Sequence, residues 1–399
     1  METLTNPRSP SDPTPASRPR WVMLSRKVVN DEDADSSVAD ANTTVASCTS
    51  SGQSFSVSFA LAAAPPATSR FFCNWIGGVP CDGNGNNAAK KDLTIIAATD
   101  DSVLIKIVIP GVTLGYFLYE TGGAGRPPTL SMLPAQLECD GGAIYLDTKS
   151  TGLLRRPKGE LLAAKLQVVY GGETALDTAE LCVLRPGGTE WEIKRLPIAH
   201  QDGGGGGGRK LPLWLDMDAA VPVGSRFMCW VQYVQHRLVH LRHGGGRGGG
   251  PQGSTPGHRR PRRGEAGQRG SPVLLRRRRQ DRVRALPRFA FNVTTWNLTL
   301  RMEEPMKWVK DGVLDFDELW QLPNYGCLPR VPPQYPIVSS DNPDIVCFTL
   351  CENYYAIQNA DETEWMLRID TRRKELLSVV RSDTNLYIDD RVPAKLRWQ

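Results

Sequence analysis

Histidine is the side chain most often used as a general base or a zinc ligand near neutral pH, and this chain has five of them. His236, His240 and His243 are spaced i, i+4 and i+7, so on a helix they would share one face, as zinc ligands do. No Cys, Asp or Glu stands close enough in sequence to complete such a site, and the neighbouring arginines would repel a metal ion. His200 stands near the hexaglycine 203–208, whose backbone cannot hold a catalytic base in one position. We therefore expect no metal site and no catalytic residue among the histidines.

Acidic residues imitate known sites in part. Residues 82–86 (DGNGN) resemble the start of a calcium-binding loop, but Leu93 stands at the twelfth position, where a bidentate Glu is required. Asp216 and Asp218 resemble the DxD pattern of nucleotide-sugar enzymes, without a phosphate-binding loop to accompany them. Two adjacent Asp-Glu pairs point in opposite directions, as in solvated turns: Asp317 with Glu318, and Asp361 with Glu362. These patterns predict turns, no bound cofactor and no enzyme activity.

The segment 236–288 differs in composition from the rest of the chain. It has fifteen arginines, no lysine, no aromatic residue and only two acids, Glu265 and Asp281, so its net charge is +13. The whole chain carries +5, which leaves −8 for the remaining residues. This Arg/Gly-rich segment therefore needs an explanation of its own.

Three hypotheses account for the segment. A disordered arm of this composition binds RNA by neutralising phosphates and stacking guanidinium groups on bases. Alternatively, it is a solvated surface loop without a partner. The third hypothesis is translation of a GC-rich stretch of gene in the wrong frame. We favour the third, because a selected basic patch normally mixes Lys with Arg and because strand-like patterns stop at His236 and resume at Phe289. Sequencing the transcript across the segment tests it.

The ordered parts of the sequence read as short strands. Strands are predicted at 20–29 and 54–61, and apolar runs separated by polar turns predict hairpins at 92–110, 179–198, 289–302 and 364–380. Several of these units have an apolar strand, a polar turn and then a Trp or Leu that opens the second strand, which is typical of propeller blades. The predicted fold class is all-β, a propeller-like array of antiparallel β-hairpins with long disordered loops. One helical turn is expected within 313–319, starting near Asp311.

Tryptophan and cysteine indicate where the core lies. Six tryptophans fall in or next to predicted strands and are expected to supply much of the buried area: Trp191, Trp230, Trp296, Trp308, Trp320 and Trp365. An exposed tryptophan cluster that stacks on a ligand is the alternative. The nine cysteines are scattered and odd in number, so we expect reduced thiols in the core.

Composition changes divide the chain into five parts. We expect a disordered tail at 1–18, an N-terminal part of the β-rich array at 19–235, the Arg/Gly-rich segment at 236–288, a C-terminal part of the array at 289–385 and a tail at 386–399.

Several stretches together resemble a known family. They are PRWVML at 19–24, AELCVL at 179–184, WLDMDAAVPVGSRFMCWVQY at 214–233, DELWQLP at 317–323, PQYPIVSSDNPDIVCF at 333–348 and WMLRIDTRRKELLSVV at 365–380. In these stretches the chain resembles a plant family expanded in grasses, the domain of unknown function 1618. The resemblance covers about 19–235 and 288–385 and implies a β-rich, propeller-like fold. It implies no catalytic residues, since no activity is established for the family. The chain departs from the family pattern at 236–288.

These observations favour a non-enzymatic protein-interaction module with an unknown protein partner. The alternative is an RNA-associated protein that uses 236–288, although nucleic acid is not the expected partner, and an enzyme of unknown type comes third. The N-terminal residues lack the apolar stretch of a signal peptide, and no window is apolar enough for a membrane helix. We therefore expect an intracellular protein, cytoplasmic or nuclear, without a membrane partner.

Overall fold

The computed structural model describes a large part of the chain. The described residues are 21–30, 39–62, 65–77, 92–109, 113–122, 125–134, 138–139, 142–143, 145–157, 159–169, 178–185, 187–197, 217, 219–232, 237–242, 269–270, 273–277, 291–299, 307–331, 333–351, 364–382 and 391–394.

The first sheet contains the N-terminal strands. Its order is β2-β3-β4-β1-β5-β6-β7-β8, and contacts between β2 and β8 nearly close it on itself. All of its neighbours are antiparallel except β1 and β4, which are parallel. The strands are β1 (Val22–Asn30), β2 (Asp40–Cys48), β3 (Ser54–Ala60), β4 (Thr68–Trp75), β5 (Asp92–Thr99), β6 (Ser102–Ile109), β7 (Thr113–Glu120) and β8 (Thr129–Leu133).

Four further antiparallel sheets follow in chain order, after a two-stranded ribbon of β9 (Glu138–Cys139) and β10 (Gly142–Ala143). The second sheet has β11 (Thr151–Arg155), β12 (Leu161–Val169), β13 (Thr178–Leu184) and β14 (Glu192–Pro197). The third has β15 (Ala219–Val223), β16 (Phe227–Gln232) and β17 (Arg237–Arg242). The fourth has β18 (Arg269–Gly270), β19 (Val273–Arg277), β20 (Phe291–Thr299) and β21 (Lys307–Asp315). The last sheet has β22 (Gln334–Val338), β23 (Ile345–Cys351), β24 (Glu364–Asp370) and β25 (Glu375–Ser382).

Individual strands make the contacts between neighbouring sheets. Strand β11 contacts both β5 and β15, while β22 contacts both β19 and the C-terminal strand β26 (Arg391–Ala394), which in turn contacts β5. The predicted all-β array of antiparallel units is therefore confirmed. Among the described residues the helical content is α1 (Phe316–Trp320), and no helix there is long and apolar enough to cross a membrane.

Alternation along the strands builds the cores between sheets. Inside the first sheet, Phe59 packs edge to face on Phe71 at 4.5 Å and Phe55 does so on Phe117 at 5.0 Å, between ring centroids. Between the second and third sheets, Trp230 is 1% exposed and packs with aliphatic side chains of β12 and β13. Aromatic and aliphatic burial of this kind is the main stabilising contribution.

Strand β26 joins the end of the chain to its beginning. It pairs antiparallel with β1 in the register Val22↔Ala394 to Ser25↔Arg391. The Arg391 guanidinium forms a bidentate pair with the Glu364 carboxylate (Nη1–Oε1 3.0 Å, Nη2–Oε2 2.8 Å), and both side chains are at most 9% exposed. The prediction of a tail at 386–399 was therefore wrong for 391–394. A four-residue strand has too little pattern to be recognised in the sequence, because only its partners define it.

Most predicted strands and hairpins are confirmed. The strands at 20–29 and 54–61 correspond to β1 and β3, and the hairpins at 92–110, 179–198 and 364–380 correspond to β5–β6, β13–β14 and β24–β25. The hairpin predicted at 289–302 was wrong, because β20 runs unbroken across the polar residues Thr294 and Thr295 and pairs with β21. The helix begins at Phe316 with Asp315 as its N-cap, whereas Asp311 lies in β21.

Strands also occur inside the segment 236–288. Strand β17 pairs with β16, and β18 and β19 both pair with β20. The prediction that strand character stops at His236 and resumes at Phe289 was therefore wrong. The short apolar runs LVHL and VLL are long enough to add a strand to an existing sheet. They are too short to be recognised as strands in a sequence dominated by arginine and glycine. Sequencing of the transcript is the test of the frame-error hypothesis.

We expect Arg391→Leu to lower the free energy of unfolding by about 3–5 kcal/mol, because Glu364 is left buried without its cation. Urea unfolding followed by tryptophan fluorescence measures this. Lys374→Ala is the matched control, since Lys374 and Glu318 are paired at 2.7 Å but both are about half exposed, and it should cost less than about 1 kcal/mol. Equal losses in the two variants would contradict the role given to the buried pair.

Candidate interaction surface

A fixed turn leads into β11 and presents an aromatic side chain to solvent. The turn comprises residues 145–151. One oxygen of Asp147, Oδ1, accepts hydrogen bonds from the backbone N–H groups of Lys149 (2.9 Å) and Ser150 (2.7 Å), and Ser150 Oγ donates to Oδ2. This is the local hydrogen bonding for which Asp is favoured in turns. Asp147 N in turn donates to Thr151 Oγ1 at 3.2 Å.

Side chains from three sheets form hydrogen bonds with the 145–151 turn. From β12, Lys165 Nζ donates to the backbone carbonyl of Tyr145 and to Asp147 Oδ2. From β7, the Tyr116 hydroxyl accepts the Leu146 N–H at 2.9 Å. From β16, Trp230 Nε1 donates to the Ser150 carbonyl at 2.6 Å. The turn is therefore anchored to the first, second and third sheets together.

Tyr145 is the most exposed large apolar side chain among the described residues, at 62%. The others, between 38% and 52% exposed, are Ile76, Met132, Val221, Val309 and Leu377. An aromatic ring on a backbone that is already ordered loses little conformational entropy when a partner covers it. Tyrosine is also enriched among the residues that dominate binding energy at protein interfaces.

The charges of the turn are stable near neutral pH. Burial by itself would raise the pKa of Asp147, but the hydrogen bond from Ser150 and the charge of Lys165 together outweigh it and lower that pKa below its ordinary value. Burial raises the pKa of Tyr116, so its hydroxyl stays neutral and can accept from Leu146. Both shifts keep Asp147 charged and Tyr116 neutral near pH 7, so these two groups act as a scaffold.

Most residues of the catalytic patterns considered from the sequence lie outside the described residues. His240 lies in β17 and not on a helix, while His200, His236 and His243 lie outside the described residues. The calcium-like residues 82–86, Asp216, Asp218, Asp361 and Glu362 also lie outside them. Asp317 and Glu318 occupy the first turn of α1, where Glu318 pairs with Lys374. In the described part of the chain, no group of three His, Cys, Asp or Glu residues could hold a metal ion.

The buried aromatic and sulfur groups serve packing. Trp230 is buried, Trp191, Trp320 and Trp365 are half-buried, and the side chains of Trp296 and Trp308 lie outside the description. Five cysteines are buried as predicted (Cys73, Cys182, Cys229, Cys347 and Cys351), but the expectation of core thiols was wrong for Cys48 and Cys327, which are exposed in or beside turns. Burial raises the pKa of the Cys229 thiol to about 11, which keeps it protonated and unreactive.

One cavity lies between the second and third sheets. It has a volume of about 40 Å³ and is lined mainly by aliphatic side chains with Trp230. Because it holds only a few water-sized molecules and belongs to the core, we interpret it as a packing gap.

Sequence reasoning missed the 145–151 turn. The signal was an Asp three residues before a Ser, directly ahead of an apolar strand, which is a pattern for side-chain-to-backbone hydrogen bonding. The partners Tyr116, Lys165 and Trp230 come from other sheets, so their convergence could be known only from the fold.

We expect Asp147→Asn to lower the free energy of unfolding by about 1 kcal/mol at pH 7, after allowance for solvent screening of this half-exposed carboxylate. The pKa of Asp147 is lower in the folded state than its ordinary value of 3.8, so its contribution is present above that pH and is lost as the pH falls through the folded pKa. Urea midpoints of variant and wild type should therefore converge as the pH falls below 3.8. Glu375→Gln, which neutralises an exposed carboxylate at the start of β25, is the control. A difference independent of pH would contradict the assignment.

Comparison with known proteins gives one family. No curated protein matches the chain. Residues 226–347 match the family model described as "Protein of unknown function (DUF1618)". The match runs from the turn before β16 into β23 and spans the segment 236–288. The resemblance seen in the sequence is thereby confirmed for residues 226–347, which are similar to the DUF1618 family of proteins of unknown function.

Proposed function

We propose that this protein is a non-enzymatic protein-interaction module and that Tyr145 is one of its principal contact residues. The observation that carries the proposal is the combination of an exposed aromatic side chain with a turn anchored by three sheets. Loops positioned by a rigid β-scaffold are where β-rich proteins commonly present their binding residues. A binding surface of this kind requires no reacting group, only a fixed shape.

The chemistry of the turn supports recognition and gives no support to catalysis. Both oxygens of Asp147 are occupied by hydrogen bonds from Lys149, Ser150 and Lys165, so the carboxylate is committed to holding the turn. Ser150 is only 9% exposed and donates its hydroxyl to Asp147, which cannot accept its proton at neutral pH. In these hydrogen bonds Tyr145 takes part only through its backbone carbonyl, which accepts from Lys165. Its ring can therefore contact a partner without disturbing the turn.

We expect Tyr145→Ala to weaken partner binding at least tenfold, which is typical of a hot-spot aromatic. The full-length protein serves as bait in an extract of its source, partners are quantified by mass spectrometry, and the affinity of a captured partner is then measured by calorimetry. Because alanine retains the carbonyl that Lys165 binds, the fold should be unaffected. Leu377→Ala, on the exposed edge strand β25, is the matched control and should change affinity less than about twofold.

The proposal fails if no protein is captured reproducibly, or if every captured partner binds Tyr145→Ala as tightly as wild type. The alternative function, RNA association, rests on the charge of +13 in 236–288. It is distinguished by replacing Arg259, Arg260, Arg262 and Arg263 with Gln. If these residues contact phosphates, the slope of log affinity against log salt for a single-stranded RNA falls by about 3.

A further inference from the structure

The two faces of the last sheet differ in chemistry. One face carries Phe348, Leu350, Leu367 and Ile369 into a core that it shares with α1 and β21. The opposite face looks towards β1, because Cys347 and Met366 cluster there with Trp21 and Met23. Cross-strand partners share a face, so Arg368, which stands opposite both Cys347 and Ser378, lies on this second face too. We call the contact between this face and β1 the closing seam.

The closing seam is poorly suited to hold two sheets together. Its buried apolar cluster has four members in the described residues, Trp21, Met23, Cys347 and Met366, whereas the cluster inside the first sheet has seventeen. Arg368 Nε and Ser378 Oγ are also buried with no hydrogen-bond partner among the residues described. Buried polar atoms without partners destabilise the closed arrangement relative to one in which water reaches them.

Strand β26 contacts both sides of the closing seam and stabilises it. Its side chains alternate, so that Val392 and Ala394 enter the core of the first sheet while Arg391 points to the last sheet and binds Glu364 and Thr349. The two apolar side chains are small, and the strand has four residues. One short strand with one buried ion pair thus joins β1 to the last sheet across a weakly packed contact.

We propose that the closing seam is a built-in opening point, at which β26 leaves β1 and the last sheet separates from β1 while the other sheets stay folded. Opening hydrates Arg368, Ser378 and the Arg391–Glu364 pair together, which offsets part of the packing that is lost. It also frees the backbone edge of β1 at Val22 to Ser25, to which β26 is bonded in the closed state. Strand β26 is thus a conformational switch between a closed state, in which it is paired with β1, and an open state, in which it is released.

Hydrogen exchange of the full-length protein, read by mass spectrometry in native buffer, tests this. Peptides that cover 391–394 and 22–25 should exchange at least tenfold faster than peptides of β6 and β7, with matching rates for the two strands. Arg391→Leu should accelerate exchange in these peptides at least tenfold more than in peptides of β11–β13. Arg155→Leu, which removes a largely buried guanidinium paired with Asp101 and Glu120 away from the seam, is the control and should leave 391–394 unchanged.

A second variant tests the seam without weakening the ion pair. Arg368→Met combined with Ser378→Ala removes the two unpartnered atoms, Arg368 Nε and Ser378 Oγ, and should slow exchange at 391–394 several-fold. The proposal is overturned if 391–394 exchanges as slowly as β6 in the wild type, or if the double variant exchanges at the wild-type rate or faster. Acceleration by the same factor in every peptide of Arg391→Leu would mean that exchange occurs through global unfolding alone and would count against a local opening.

Discussion

The link between the first sheet and the last sheet depends on one short strand. Strand β26 pairs with β1, and the Arg391–Glu364 ion pair carries that pairing across to the last sheet. A buried ion pair adds little net stability compared with apolar packing, yet its geometry is demanding, so it fixes register more than it adds free energy. Without it, the last sheet would contact the start of the first sheet through a small apolar cluster, in which Cys347 and Met366 pack with Trp21 and Met23. Strand β26 thus links the last sheet to β1.

The stability of the remaining sheets comes from ordinary burial. Each sheet directs alternate side chains into the gap on either side, and aromatic residues fill the gap within the first sheet while aliphatic residues with Trp230 fill the gap between the second and third. Polar groups at these gaps are used to fix turns. The 145–151 turn is the clearest example, because hydrogen bonds from β7, β12 and β16 meet there. The fold thereby yields a rigid exposed tyrosine without any reacting group.

Much of the fold could be predicted from alternation and turn residues. The hairpin β5–β6 followed from two β-branched runs around Asp100 and Asp101, and β24–β25 followed from the apolar runs around Thr371 to Lys374. Prediction failed where the pattern was short or was overridden by partners. Strand β20 crosses polar residues because β19 and β21 pair on both sides, and β26 exists because β1 offers an edge. The same limit applies to the candidate surface, since the residues that anchor Tyr145 are distant in sequence and carry no shared motif.

The register of β26 on β1 can be measured most directly by disulfide trapping. Met23 and Pro393 are register partners, and antiparallel partners bring Cα atoms within reach of a disulfide. In the double variant Met23→Cys with Pro393→Cys, oxidation followed by peptide mapping should give a linked peptide pair that contains both positions. Lys27→Cys with Pro393→Cys, displaced by four residues along β1, should give little or none. Equal linkage in the two variants, or no linkage between 23 and 393, would contradict the closure of this molecule by its C-terminal strand.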